Sequence, residues 1–177
     1  MALSQEKVHT IEDIYALPDG QRAELIDGEM YMLAPPSSRH QEILMNLSSS
    51  IHQYIKYGQG DCKVFPAPFA VFLNEDDRTY VEPDISVICD KSKLDDRGCN
   101  GAPDWVIEIV SPSSKRMDYL IKLLKYQKAG VKEYWVVDPE RKSVMVYDFA
   151  GGDADTYSFK DEIPVGIYDG DLKLKIE

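Results

Sequence analysis

Apolar residues recur at intervals of three and four in two long segments, which predicts two amphipathic helices. The first helix is predicted over about residues 39–57. Its apolar face consists of Leu44, Leu47, Ile51 and Ile55. The second helix is predicted over residues 115–129. Its buried stripe consists of Met117, Leu120, Ile121 and Leu124, with Asp118, Lys122 and Lys125 on the flank.

Short β-rich runs surround these helices and predict a mixed sheet. Residues 23–26 and 30–33 flank Asp27-Gly28, a pair suited to the tight turn of an N-terminal β-hairpin. The runs 105–110 and 134–137 are continuously apolar, and with the second helix they predict a parallel strand–helix–strand crossover. Further strands are expected at 69–73, 84–88, 143–147 and within 157–176, and a polar loop at 91–101. The expected fold class is α/β (α+β mixed), with helices flanking the sheet.

A chain of 177 residues suits one domain, expected to span residues 1–177. The first ten residues contain no apolar run typical of a signal peptide, and no segment is apolar enough to cross a bilayer, so we expect a soluble cytoplasmic protein without membrane association. The three cysteines include no close pair, which favours reduced thiols over a disulfide framework or a thiolate zinc site.

The formal net charge of −11 argues against non-specific attachment to a polyanion, because such binding depends on Lys and Arg displacing counterions. Any function on nucleic acid is therefore expected to be local and assisted by a metal ion.

Two carboxylates are candidates for such a site. Glu108 interrupts a strand that is otherwise apolar on both faces, and a buried carboxylate is usually paired, protonated or bound to metal. Asp84 opens a second β-rich run after Pro83. If the two strands are neighbours, both carboxylates can bind one Mg²⁺ or Mn²⁺ ion, which prefers oxygen ligands. A turn carboxylate at Asp84 and a structural ion pair at Glu108 are the alternatives.

A lysine on the second helix can supply a positive charge at the same level. The chain advances roughly 16 Å from Glu108 to the helix start at ~3.3 Å per residue. The helix then returns at ~1.5 Å per residue, which brings Lys122 back by about 13 Å and Lys125 by about 18 Å. One lysine is therefore expected slightly before the level of Glu108 and the other slightly beyond it, so this estimate does not choose between them.

Several motifs, in a fixed order, resemble the Uma-two type of restriction endonuclease, over about residues 23–139. They are Glu24-Leu25-Ile26-Asp27-Gly28-Glu29, Pro35-Pro36-Ser37 with His40, Glu82-Pro83-Asp84, the run 103–113 containing Glu108, Asp118 with Lys122 and Tyr126, and the run 129–139. The resemblance implies the PD-(D/E)xK nuclease superfamily, a restriction-endonuclease-like mixed sheet and metal-dependent hydrolysis of phosphodiester bonds. It maps the Pro-Asp element onto Pro83-Asp84 and the glutamate onto Glu108. The sequence departs from the superfamily pattern at Val110, where a lysine is expected, and the resemblance implies that Lys122 substitutes for it.

The remaining assignments are expectations of the same kind. His40 and Glu24 are further candidates for the site, with a half-buried structural histidine and a plain strand glutamate as the alternatives. The expected partners are a nucleic-acid substrate, DNA in the first instance, and by analogy a second copy of the chain in a homodimer. A competing hypothesis is a catalytically silent, dimeric binding or regulatory module that keeps the fold.

Overall fold

The computed structural model describes residues 8–58 and 60–177. Residues 1–7, part of the segment used in the signal-peptide prediction, and Gln59 lie outside the described residues. The α-helices are α1 (Ile11–Tyr15), α2 (Ser38–Tyr57) and α3 (Lys122–Ala129). The strands are β1 (Ala23–Ile26), β2 (Glu29–Met32), β3 (Lys63–Pro66), β4 (Val71–Phe72), β5 (Ile85–Ile88), β6 (Leu94–Asp95), β7 (Gly98–Asn100), β8 (Trp105–Ile109), β9 (Glu133–Asp138), β10 (Ser143–Asp148), β11 (Asp153–Ser158), β12 (Ile163–Pro164) and β13 (Lys173–Leu174).

The predicted N-terminal hairpin is present and is attached to the rest of the fold. Strands β1 and β2 pair antiparallel, and both turn residues, Asp27 and Gly28, have positive φ. This is the conformation that an Asp-Gly turn favours. Leu25 exchanges two backbone hydrogen bonds with Tyr80, which holds β1 against the segment leading to β5.

A six-stranded mixed sheet lies at the centre, in the order β11-β10-β9-β8-β5-β3. The predicted parallel pair is confirmed, since β8 and β9 run parallel while the other neighbours run antiparallel. All five residues of β8 and all six of β9 are buried. Their apolar runs are those of strands covered on both faces.

The two faces of this sheet carry separate cores. On one face, α2 packs Ile43, Leu47 and Ile51 against alternate residues of β8 and β9, including Trp105 and Trp135. The opposite face is covered by α3 and the residues that lead into it. There Tyr126 packs with Val106, Val110, Tyr134 and Val136. Strand alternation puts Glu108 on this second face, between Val106 and Val110.

The predicted second helix is present, but only half of its predicted buried stripe is confirmed, since Met117 and Ile121 pack against the core of this face and the two leucines do not. Leu120 and Leu124 are 50% and 57% exposed, whereas Asp118, Lys122 and Tyr126 are buried. The helix is π-helical over Met117–Ile121 and becomes α-helical at Lys122. The face that packs on the sheet carries Asp118 and Lys122, so a stripe drawn through apolar residues alone misplaces it.

Two other sequence predictions are corrected. Cys62 and Cys89 form a disulfide rather than two reduced thiols, while Cys99 is free and buried. Strands β3 and β5 pair antiparallel with Lys63 opposite Ile88. Cys62, the residue before β3, therefore lies next to Cys89, the residue after β5. The predicted loop 91–101 contains a 3₁₀ turn (Lys91–Lys93) and strands β6 and β7, which form a small sheet with β4.

Within the described part of the chain, no helix combines the length and the apolar character needed to span a membrane.

Candidate active site

Asp84 and Glu108 lie side by side, as the sequence predicts. Strands β5 and β8 pair with Ile85 opposite Ile107, so one further step of the antiparallel register brings Asp84 opposite Glu108. The Asp84 backbone N–H donates to Glu108 Oε2 at 3.4 Å, and the Ile109 N–H donates to Asp84 Oδ2 at 2.7 Å. The Asp84 side chain is 17% exposed and that of Glu108 4%. The pair therefore joins a partly accessible carboxylate to a buried one.

Lys122 reaches the carboxylates and Lys125 does not. Lys122 Nζ lies 2.9 Å from oxygens of both Glu24 and Glu108, and 3.9 Å from Asp118 Oδ1. Lys125 instead pairs with Asp27, whose side chain is 63% exposed. Of the two ammonium groups between which chain length does not choose, only that of Lys122 lies among the buried carboxylates.

Glu24 enters the site from the N-terminal hairpin. It lies on β1, all four residues of which are buried. Its Oε1 accepts hydrogen bonds from Lys122 Nζ and from the Glu82 backbone N–H, both at 2.9 Å. Arg22 forms an ion pair with Glu82 just outside this contact. Glu24 is therefore held by Lys122 and by the segment that leads to Asp84.

His40 contacts the same pair from the first turn of α2. Ser37 caps this helix, because its side chain accepts a hydrogen bond from the His40 N–H. His40 Nε2 lies 3.1 Å from Asp84 Oδ2, and Nδ1 is buried without a hydrogen-bond partner among the described residues. Burial lowers the pKa of His40, but the hydrogen bond to Asp84 and its charge raise it more, so the net pKa is raised.

Asp118 and Tyr126 complete the cluster and are absent from the site predicted by sequence. The Tyr126 hydroxyl donates to Glu108 Oε1 at 2.7 Å, and Ser114 Oγ donates to Asp118 Oδ2 at 2.6 Å. Both residues are buried and stand four positions on either side of Lys122. The motif that the resemblance quotes, Asp118 with Lys122 and Tyr126, is the sequence signal that could have identified them.

The cluster contains more negative than positive groups. Three carboxylates, those of Glu108, Glu24 and Asp118, have an oxygen 2.9–3.9 Å from Lys122 Nζ. A fourth, that of Asp84, lies beside Glu108 and contacts His40. Burial raises the pKa of Glu108 and raises that of Asp118 to about 6, while Lys122 opposes both shifts. Burial lowers the pKa of Lys122, but the carboxylates of Glu108, Glu24 and Asp118 raise it more, so the ammonium stays charged. A site of this charge favours an additional cation.

The donor chemistry of Asp84 and Glu108 suits Mg²⁺ or Mn²⁺. Among residues 8–58 and 60–177, no three His, Cys, Asp or Glu side chains are arranged to hold a metal ion by themselves. Magnesium commonly binds one or two carboxylates and completes its octahedron with water and substrate oxygens. Glu24 is already occupied by Lys122 and Glu82, whereas Asp84 Oδ1 accepts no hydrogen bond from the described residues. The carboxylate pair therefore fits such an ion, with water supplying the other ligands.

The fold matches that of a solved structure described as a "putative nuclease belonging to DUF820" from Anabaena variabilis ATCC 29413. The TM-score is 0.75 at 24% sequence identity, over 94% of each chain. This likeness confirms the predicted class, a mixed α+β fold.

The family model of Uma2, described as "Putative restriction endonuclease", matches residues 11–165, and the chain belongs to this family. Two uncharacterized proteins of Synechocystis sp. (strain ATCC 27184 / PCC 6803 / Kazusa) are also similar. One, slr1290, is 26% identical over 55% of this chain and 50% of its own length. The other, sll1609, is 25% identical over 67% of each chain. The chain thus spans half the length of the first relative.

Proposed function

We propose that this protein is a divalent-metal-dependent endonuclease that hydrolyses phosphodiester bonds of nucleic acid, with DNA as the first substrate to test. The observation that carries the proposal is the juxtaposition of Asp84 and Glu108 on neighbouring strands, with Lys122 Nζ 2.9 Å from Glu108. Membership of a family described as restriction endonucleases supports the same reaction class.

In this proposal Asp84 and Glu108 hold Mg²⁺ or Mn²⁺, which when bound polarises the phosphoryl group and makes a coordinated water more acidic. Lys122 remains protonated among the carboxylates and steadies negative charge that develops on a phosphate oxygen or on the attacking hydroxide. Its short contacts to two anchored glutamates limit the movement of its ammonium group. A fixed positive charge of this kind needs little reorganisation during the reaction.

Glu24 and His40 act as positioning residues. Glu24 holds the Lys122 ammonium and is itself held by the Glu82 N–H at 2.9 Å. His40 Nε2 and the Ile109 N–H both hold Asp84 Oδ2, which orients that carboxylate. Loss of either side chain is therefore expected to misplace a group that acts directly.

The proposed partners are the nucleic-acid substrate and a second copy of the chain. The net charge of −11 means that binding must rely on the site and its ion rather than on a basic surface. A homodimer would allow both strands of a duplex to be cut, and sedimentation of the purified protein measures it. A cytoplasmic location stays a prediction from the sequence.

Cleavage of DNA and RNA by the purified protein, with Mn²⁺ or with EDTA, tests the function. We expect cleavage with the metal, and none for Asp84→Asn. Lys122→Ala should lose on the order of a hundredfold or more in rate, as when a transition-state donor is removed. Lys125→Ala is the matched control and should lose little, because Lys125 pairs with Asp27 outside the cluster. Metal-independent cleavage, or full activity of Asp84→Asn, would contradict the proposal.

A second candidate is a catalytically silent, dimeric binding or regulatory module. Two features favour it: the net charge of −11 and Val110 in the position where the superfamily pattern has lysine. A silent module need not retain metal binding. A protein whose melting temperature does not respond to millimolar Mg²⁺ or Mn²⁺, and which cleaves nothing, would be the silent form.

A further inference from the structure

One oxygen of Glu108 is engaged twice by the α3 segment. The Tyr126 hydroxyl donates to Oε1 at 2.7 Å, and Lys122 Nζ donates to the same oxygen at 2.9 Å. The other oxygen, Oε2, accepts only the Asp84 N–H at 3.4 Å from the described residues. This contact is long for a hydrogen bond, so the protein holds Oε1 of Glu108 much more firmly than Oε2.

Asp84 shows the same division. Its Oδ2 accepts from the Ile109 N–H at 2.7 Å and lies 3.1 Å from His40 Nε2. Its Oδ1 accepts no hydrogen bond from residues 8–58 or 60–177. Each carboxylate of the pair therefore has one oxygen held by the protein and one oxygen that a metal ion could bind.

Of the two groups that donate to Glu108 Oε1, the Tyr126 hydroxyl is the less able to move. The Lys122 ammonium has three hydrogens and also pairs with Glu24, so it can shift between carboxylates. The Tyr126 hydroxyl has a single hydrogen, and its ring is fully buried and packed edge-on against Tyr134 at 5.0 Å. A fixed phenol cannot follow Oε1 if that oxygen turns toward a metal ion.

We propose that Tyr126 keeps Glu108 a one-oxygen ligand and thereby makes the site select Mg²⁺ or Mn²⁺ over Ca²⁺. Mg²⁺ takes six ligands in a strict octahedron at about 2.0–2.1 Å, which single carboxylate oxygens and waters satisfy. Ca²⁺ takes about six to eight ligands at longer distances and is often bound by both oxygens of a carboxylate. The inference rests on the proposed metal site and adds the selectivity of that site.

The test is the apparent affinity for MgCl₂ and for CaCl₂, measured from metal-dependent melting of the full chain without nucleic acid. Tyr126→Phe keeps the ring but frees Oε1 from the phenol, so the preference for Mg²⁺ over Ca²⁺ should fall by about tenfold, roughly what one hydrogen bond to a charged group contributes. Tyr134→Phe is the matched control. It also loses one buried hydroxyl, but this hydroxyl donates to the Asp118 carbonyl rather than to a carboxylate.

The outcomes separate the inference from the proposed function. A wild type stabilised by Mg²⁺, together with an unchanged Mg²⁺/Ca²⁺ ratio in Tyr126→Phe or an equal drop in Tyr134→Phe, overturns the role of Tyr126 and leaves the metal site standing. A wild type that binds neither ion overturns both. The wild type also tests the inference without any substitution, because equal stabilisation by Ca²⁺ and Mg²⁺ would contradict it.

Discussion

Replacing Lys122 by methionine removes the buried ammonium while keeping a side chain of similar length. Lys122 is 5% exposed, and its Nζ lies 2.9 Å from both Glu24 and Glu108 and 3.9 Å from Asp118. The substitution therefore leaves three buried carboxylates without their counter-ion. Breaking a buried ion pair by removing one partner costs roughly 3–5 kcal/mol, a large part of a typical free energy of unfolding of about 5–15 kcal/mol.

The sign of the pH dependence follows from the same contacts. Lys122 lowers the pKa values of Glu108 and Asp118, which burial raises. Without the ammonium both values rise further, so these groups more readily bind a proton in the folded state than in the unfolded state. Protonation removes the unpaired charge, and the loss caused by Lys122→Met should therefore be smaller at pH 5 than at pH 8.

Urea unfolding in EDTA, at pH 5 and at pH 8, measures both effects. Lys125→Met is the control, because Lys125 pairs with an aspartate that is 63% exposed, and such pairs contribute about 0–1 kcal/mol. Adding Glu24→Gln to Lys122→Met should restore part of the loss, since one uncompensated charge is removed. Equal stability of the two lysine variants, or a loss that grows as the pH falls, would refute this reasoning.

Two further predictions concern residues outside the site. Burial raises the pKa of Asp104, but the 2.7 Å contact with Lys132 and the other hydrogen bonds lower it more, so the net pKa is lowered. The ionised carboxylate therefore stabilises the fold above the unfolded pKa of about 3.8, and this stabilisation is lost as the pH falls through the pKa of the folded state. Acid unfolding should show the stability difference between wild type and Asp104→Asn shrinking below that pH; a constant difference would contradict it. Gly98 and Gly130 both have positive φ, but a Cβ at Gly98 would collide with the Ala70 carbonyl while that at Gly130 meets open space. Thermal melting should therefore show Gly98→Ala destabilised beyond the roughly 1 kcal/mol expected for strain alone at Gly130→Ala, and equal losses would count against the close approach.

The neighbouring carboxylates could be predicted because their signal is local. Glu108 interrupts a run of buried apolar residues, and Asp84 begins a β-rich run after proline. Strand alternation then gives each residue a face, and one pairing between the two strands brings the two side chains next to each other. The parallel pairing of β8 and β9 could be predicted equally well from the sequence, since a helix of this length between two apolar strands predicts a crossover.

Features that depend on the buried face of a helix or on strand register could not be predicted in the same way. Asp118, Lys122 and Tyr126 stand at intervals of four and line the face that meets the sheet, while Leu120 and Leu124 are exposed. An apolar period does not report a buried face that carries polar residues, and the motif of Asp118, Lys122 and Tyr126 is the signal that does.

The disulfide depends on register in the same way. Cys62 and Cys89 are 27 residues apart, and only the pairing of β3 with β5 makes them neighbours. Cysteine spacing alone therefore favoured free thiols.

Metal binding by Asp84 and Glu108 is tested most directly by titrating the purified protein with Mn²⁺ and following the signal of free Mn²⁺ by electron paramagnetic resonance. We predict one site per chain in the wild type, displaced by Mg²⁺, with binding weakened at least tenfold in both Asp84→Asn and Glu108→Gln because each loses a charged ligand. Lys125→Met should bind like the wild type, since Lys125 lies outside the cluster. Absence of binding by the wild type, or binding unchanged in both carboxylate variants, would contradict a metal site at this pair.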